Sequence, residues 1–169
     1  IRRPPRSTQS RSSAASDVYK RQIYCYGLRP SEVFGANVNQ EDKTCIVLGL
    51  KGEEDELEER TAFTLDKSLV DIFDLNNIDR PWEYNMSDKK YNAIYSKIKT
   101  DQMGKRLKKI IKKEKFPQFT MNMIRHSWAK RAIKSKVSLS DCSISMGYSI
   151  EVFQDKYLNS VKIKDITDI

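Results

Sequence analysis

The sequence predicts a mainly α-helical domain carrying one small β-hairpin, an α+β arrangement, and two patterns carry that prediction. From Asp66 onward apolar residues recur at helical spacing: Leu69, Ile72 and Phe73, then Tyr91, Ile94, Tyr95 and Ile98, then Leu107, Ile110 and Ile111. Upstream, "TCIVLGL" and "RTAFTL" are β-rich runs separated by a Gly-flanked acidic loop, so they read as a hairpin over residues 44–50 and 60–65. With 169 residues, 38% hydrophobic and 32% charged, the chain can bury one modest core, so a single domain is expected.

Taken in order, residues 1–22, "IRRPPRSTQSRSSAASDVYKRQ", carry six basic side chains and one acid and are rich in Ser, Arg and Pro. They show no apolar periodicity and are expected to be disordered. They resemble translated adapter or vector sequence, and they are set aside from the fold as a non-native leader; a basic arm touching phosphates is the competing reading. Residues 23–35 read as the end of a helix running through "GLRPSEVF", with a new helical turn near Pro30 or Ser31. After the hairpin and the helical stretches above, further helices are expected over residues 122–135, 138–146 and 150–158. Residues 161–169 read as a tail, and no internal repeat is visible.

Composition narrows the function classes. Cys25, Cys45 and Cys142 are odd in number and widely spaced, which suits reduced thiols in a cytoplasm better than a disulfide framework. No apolar run approaches the roughly 20 residues that a membrane helix needs, so a soluble, membrane-free protein is expected. His126 is the only histidine, and no CxxC or HExxH spacing occurs, which excludes a histidine-rich metal cage.

Charge is segregated along the chain. Six acids fall in residues 53–59, whereas residues 89–136 hold 16 Lys or Arg against Asp101 and Glu114. A local basic surface of this kind suits a groove for a polyanion. Within it Lys105, Arg106, Lys108, Lys109 and Lys130 are the candidate DNA contacts, although a lysine run alone is as often a solvated helix face.

Four features, in this order, resemble the tyrosine recombinases of the phage-integrase family. "YGLRPSEVF" is similar to their first arginine box, with Arg29 as its arginine and Glu32 as the acid one turn on. "MNMIRHSWAKRA" resembles the second box, His-x-x-Arg-His, and aligns Arg125 with its arginine. "MGYSIEVFQDKYL" resembles the last box, in which Gly-His precedes the nucleophilic tyrosine by nine positions, here Tyr157. The family's hairpin also carries a lysine, for which Lys51 is the candidate. The resemblance covers about residues 23–160 and implies the DNA breaking-rejoining catalytic fold. It further implies double-stranded DNA as partner, a tetrameric synapse of the complete enzyme and a prokaryotic cytoplasm. Family members carry more helices before the first box than residues 23–28 supply, so a partial catalytic domain with weak, poorly specific DNA binding is expected.

Phosphoryl transfer explains these residue types. A phosphodiester under attack gathers charge on two non-bridging oxygens, which a guanidinium fork grips with charge-assisted hydrogen bonds; Arg29 and Arg125 suit that task. The phenol of Tyr157 attacks once the phosphorus is electrophilic, and its aryl ester is a good leaving group for the return step. The departing 5′ oxygen needs a proton, which Lys51 can deliver. Such an exchange of phosphodiester for phosphotyrosyl bond requires no nucleotide cofactor or metal.

Two positions depart from the pattern. Asn122 stands where the box usually has His or Lys, and Tyr148 where it usually has His or Trp. Both can donate a hydrogen bond to phosphate, but Asn122 cannot move a proton. His126 falls at the family's adjacent histidine and is expected to support the site from behind. The substitution at position 122 resembles the cyanobacterial integrases that excise DNA elements. Two alternatives stay open: a degenerate homologue that binds DNA without chemistry, and a basic helical adaptor for acidic protein or RNA. Taken singly, Arg29 and Glu32 also fit a helix-surface ion pair, Tyr157 an amphipathic packing residue, and Lys51 a loop charge. Trp128 and Ala132, one turn apart, are expected to face the core.

Overall fold

The computed structural model of the chain describes residues 7–49, 59–77 and 88–158. Helix α1 (Ser7–Tyr26) opens it. Disorder expected over residues 1–22 is therefore not found for residues 7–22. The reason lies in a spacing that runs across the assumed boundary: Val18, Tyr19 and Gln22 share a helical face with Ile23 and Tyr26. Val18 and Tyr19 pack against the core, Gln22 is fully buried, and the Tyr19 ring meets Phe34 edge-on with centroids 4.9 Å apart.

Gly27 ends the helix. Its N–H donates to the Ile23 carbonyl at 2.9 Å and its φ is +64°, a left-handed conformation that glycine adopts without strain. A Cβ here would lie 2.8 Å from Trp128 Cδ2. Gly27→Ala is therefore expected to cost about 1–2 kcal/mol for the backbone and about 1–3 kcal/mol for overpacking. A denaturant midpoint unchanged from wild type would contradict this account. Beyond Gly27, residues 30–35 form turns rather than a continued helix.

The expected hairpin is present, with a third strand beside it. Strands β1 (Asn37–Val38), β2 (Cys45–Leu48) and β3 (Glu59–Ala62) form an antiparallel sheet in that order. Its register pairs Val38 with Cys45, Cys45 with Ala62 and Leu48 with Glu59. Two residues are too few to show alternation, so β1 has no sequence signal. Asp42 tightens the first turn by accepting from the Thr44 N–H at 2.9 Å. Lys51 and most of the acidic run lie outside the described residues, as do residues 159–169.

Short helix α2 (Ser68–Ile72) leads toward α3 (Lys89–Glu114), a single 26-residue helix. Asp88 caps it, accepting from the Tyr91 N–H at 2.8 Å. Its helical period was legible but its phase was not. Asn92, Ser96, Met103, Leu107 and Ile111 face inward, whereas Tyr91, Ile94, Ile98 and Ile110 are exposed. In its first half the buried stripe is polar, which hydrophobic periodicity cannot detect.

Helices α4 (Met121–Lys134), α5 (Leu139–Met146) and α6 (Ile150–Tyr157) are capped in turn by Thr120, Ser138 and Ser149. Helix α4 packs on α1, α5 on α6 and on β3. Trp128 joins the two halves of the core, as expected from its place on α4. Fully buried, it donates from Nε1 to the Cys25 carbonyl at 2.9 Å and meets Phe63 edge-on, centroids 5.3 Å apart. Ala132 and Cys142 are buried beside it, and all three cysteines are free thiols. No helix among the described residues is long and apolar enough to cross a membrane.

Candidate active site

A buried carboxylate organises the arginines. Glu32, 1% exposed, sits on the turn after α1. Its Oε1 accepts from Arg29 Nη1 at 2.6 Å, and its Oε2 accepts from the Arg29 backbone N–H at 2.7 Å and from Arg60 Nη2 at 2.8 Å. Arg125 Nη1 lies 3.8 Å from the same oxygen. The i,i+3 pair of Arg29 and Glu32 is thus real, but it is a clamp on a cationic cluster rather than a surface ornament. Three guanidinium groups would repel one another in a low-dielectric pocket without that charge between them.

Backbone carbonyls hold the other edges. Arg29 Nη2 donates to the Gly147 carbonyl and Arg125 Nη2 to the Met146 carbonyl, each at 2.5 Å; Arg125 Nη1 also donates to the Gly27 carbonyl at 2.7 Å. The end of α1 and the end of α5 are thereby stitched together through the two arginines. Burial is the largest influence on Arg125 and pulls its guanidinium below the usual value, with Glu32 opposing it. Gly147, φ +61°, ends α5 in the left-handed conformation, and a Cβ there would come within 2.8 Å of Arg60 Nε. The close approach of Arg60 to this turn requires glycine.

Tyr148 follows directly and covers both forks. Its ring centroid is 5.2 Å from Arg29 Cζ and 4.9 Å from Arg125 Cζ, with Lys156 Nζ 4.5 Å away. Burial raises its phenol, but Arg125 and Lys156 together outweigh burial and bring it below the ordinary tyrosine value.

Tyr157 lies deeper than its expected role suggested. It is 4% exposed, packs on Phe153 with centroids 4.8 Å apart, and burial followed by the neighbouring Tyr148 pushes its phenol up to about 12. Its hydroxyl meets His126 Nδ1 at 2.7 Å. His126, expected to support the site, does so by touching the candidate nucleophile directly. One helical residue apart, Arg125 and His126 project from α4 in different directions, and only the fold of α6 against α4 reveals the second partner.

An open cleft of about 470 Å³ brings these groups together, lined among others by Arg29, Lys97, Asn122, Arg125, His126, Tyr148 and Lys156. Beside it a second hollow of about 350 Å³ is lined by Lys105, Lys108 and again Asn122. Arg106, Lys109 and Lys130 are exposed but line neither. Three residues escaped the sequence reading: Arg60, Lys97 and Lys156. Arg60 had a usable signal, since it is two residues from fully buried Ala62 on β3 and so shares its face.

No protein-family model and no curated protein matches the chain. Among solved structures it resembles the XerH site-specific recombinase bound to a palindromic difH substrate in a post-cleavage complex. That match has a TM-score of 0.57 at 14% identity and covers 100% of this chain and 48% of that one. XerH in a pre-cleavage complex with difH matches with a TM-score of 0.52, again at 14% identity, covering 91% of this chain and 44% of the other. The chain spans less than half the length of either. At this identity the likeness concerns the fold alone, a mainly helical arrangement with one three-stranded antiparallel sheet.

Proposed function

We propose that the chain is the catalytic part of a site-specific recombinase that cuts and rejoins double-stranded DNA through a 3′-phosphotyrosyl bond to Tyr157. The observation that carries this reading is the convergence of Arg29, Arg125, Asn122 and Tyr148 on one cleft, with His126 linking that cleft to the Tyr157 hydroxyl. Arg29 and Arg125 neutralise the non-bridging oxygens as attack develops, while Asn122 and Tyr148 donate further hydrogen bonds. Lys51, the lysine between the two β-rich runs in sequence, protonates the departing 5′ oxygen. Lys105 and Lys108 extend the cationic track along the duplex, with Arg106, Lys109 and Lys130 contributing to the field around it. The complete enzyme works as a tetramer on two duplexes, and excision of an element is the finer assignment suggested by Asn122.

A second reading has its own support. Asn122 cannot move a proton, and Tyr157 is 4% exposed, as expected of a homologue that binds DNA without cutting it. A nicked suicide duplex separates the two readings. A covalent protein–DNA adduct on a denaturing gel supports cleavage, whereas salt-sensitive binding with no adduct supports the binding-only homologue.

Asn122 supplies a graded test. As one preorganised donor to the phosphate, its loss in Asn122→Ala should slow single-turnover cleavage by about 10²–10³-fold. Arg125→Lys keeps one charge but loses the fork, so it should slow cleavage more. A silent Asn122→Ala beside a severe Arg125→Lys would remove position 122 from the chemistry.

A further inference from the structure

We propose that His126 is the proton acceptor for Tyr157, taking the phenolic proton on Nδ1 as the oxygen attacks the phosphodiester. The inference deepens the recombinase reading and rests on it. The geometry is direct: Nδ1 and Oη are 2.7 Å apart, within the span of a proton transfer, and the imidazole lines the cleft while the phenol does not.

Among the other cleft residues Asn122 has no basic atom, and Arg29, Arg125, Lys97 and Lys156 are cations that cannot accept; the Asp101 carboxylate can, but His126 is the basic group in hydrogen-bond contact with the Tyr157 hydroxyl. Every charged group facing the imidazole favours its neutral, accepting form. After partial burial, Arg125 on the same helix, Lys156 on α6 and Lys130 one turn on hold it below its ordinary range. Tyr157 is in direct contact with the ring, and Tyr148 stands 6.5 Å from Tyr157, centroid to centroid. With the phenol at about 12, complete ionisation before attack is strongly uphill, so the proton moves as the new bond forms.

The step balances. The Oη–H bond breaks and an Nδ1–H bond forms; Oη bonds to phosphorus; the P–O5′ bond breaks, and the leaving oxygen takes a proton from the general acid, assigned above to Lys51. On rejoining, the 5′ hydroxyl attacks phosphorus and returns its proton to Lys51, the P–Oη bond breaks, and the imidazolium returns its proton to Tyr157.

His126 is the chain's only histidine, so its ring nitrogens are identified without assignment work. Nitrogen-detected NMR of the free protein should show the neutral ring protonated on Nε2, with Nδ1 as acceptor, and Tyr157→Phe should abolish that preference. Protonation on Nδ1 would overturn the proposal. With a nicked duplex, single-turnover cleavage should fall toward acid below about pH 6.5 as the imidazole charges. His126→Gln should be slower by about 10²–10⁴-fold and lose that acid limb. A substrate with sulfur as the bridging 5′ atom leaves without an acid, so it should not rescue His126→Gln. Rescue by sulfur, or an acid limb unchanged in His126→Gln, sinks this proposal while leaving Tyr157 as nucleophile. If wild type forms no adduct with either substrate, the recombinase reading fails and this proposal with it.

Discussion

Tyr157→Phe is expected to eliminate the covalent protein–DNA adduct while leaving the fold and DNA affinity nearly intact. The substitution removes one hydroxyl and keeps the ring, which packs against Phe153 at 4.8 Å and lies 6.5 Å from Tyr148, centroid to centroid. The hydrogen bond to His126 is lost, but the exposed imidazole can turn to water. The stability change should thus fall near the lower end of the about 0.5–1.5 kcal/mol typical of one hydrogen bond. Tyr148→Phe is the necessary companion. It keeps the ring over Arg29 and Arg125, so the forks remain covered, and it removes one hydroxyl, a donor for phosphate that also accepts from Lys156 Nζ at 3.5 Å; cleavage should slow but the adduct should still form. The reverse pattern, an adduct that survives Tyr157→Phe and disappears in Tyr148→Phe, would move the nucleophile to Tyr148, whose phenol lines the cleft and is lowered by Arg125 and Lys156.

The contrast between these tyrosines marks what a linear reading can reach. Helices α4, α5 and α6 were legible because each begins at a Thr or Ser cap followed by a mixed apolar run, signals that act over a few residues. Box spacing singled out Arg29, Arg125 and Tyr157, and the fold brings the two arginines to one cleft with Tyr157 joined to it through His126. The burial of Tyr157 was not, because it depends on how α6 closes against α4 across 31 residues. Arg60 shows the same limit in another form. Its inward direction follows from alternation with Ala62, but its partner Glu32 lies 28 residues upstream on a different element. In α3 a hydrophobic pattern gave the period, but Asn92 and Ser96 took the inner face while Tyr91, Ile94 and Ile98 lie exposed, so the apolar stripe did not mark the buried side. Residues 18–22 depart from expectation for the opposite reason: composition argued for disorder, while a few apolar side chains at helical spacing were enough to fasten residues 18–26 to the core.

Glu32→Ala is expected to lower stability by about 3–5 kcal/mol, the loss typical when one member of a buried ion pair is removed. The carboxylate accepts from Arg29 twice and from Arg60 once, with Arg125 at 3.8 Å, so its removal leaves a cluster of guanidinium groups without a counter-charge. Glu32→Gln separates charge from shape. A glutamine fills the same space and can still accept through one oxygen, but its amide N–H groups face other donors, so a smaller loss is expected. Function should then divide in a way that simple unfolding does not. With one negative charge gone from beside the cleft, Glu32→Gln should bind duplex DNA at least as tightly as wild type and with a steeper salt dependence. Cleavage should nonetheless slow by about 10²-fold, because Arg29 loses the contact that fixes its fork, and small misplacements of a positioning group have costs of that order. Affinity and cleavage falling together would show that Glu32 only holds the fold. Tighter binding with slower cleavage would show that the buried acid trades attraction for DNA against the geometry of the arginines that act on it.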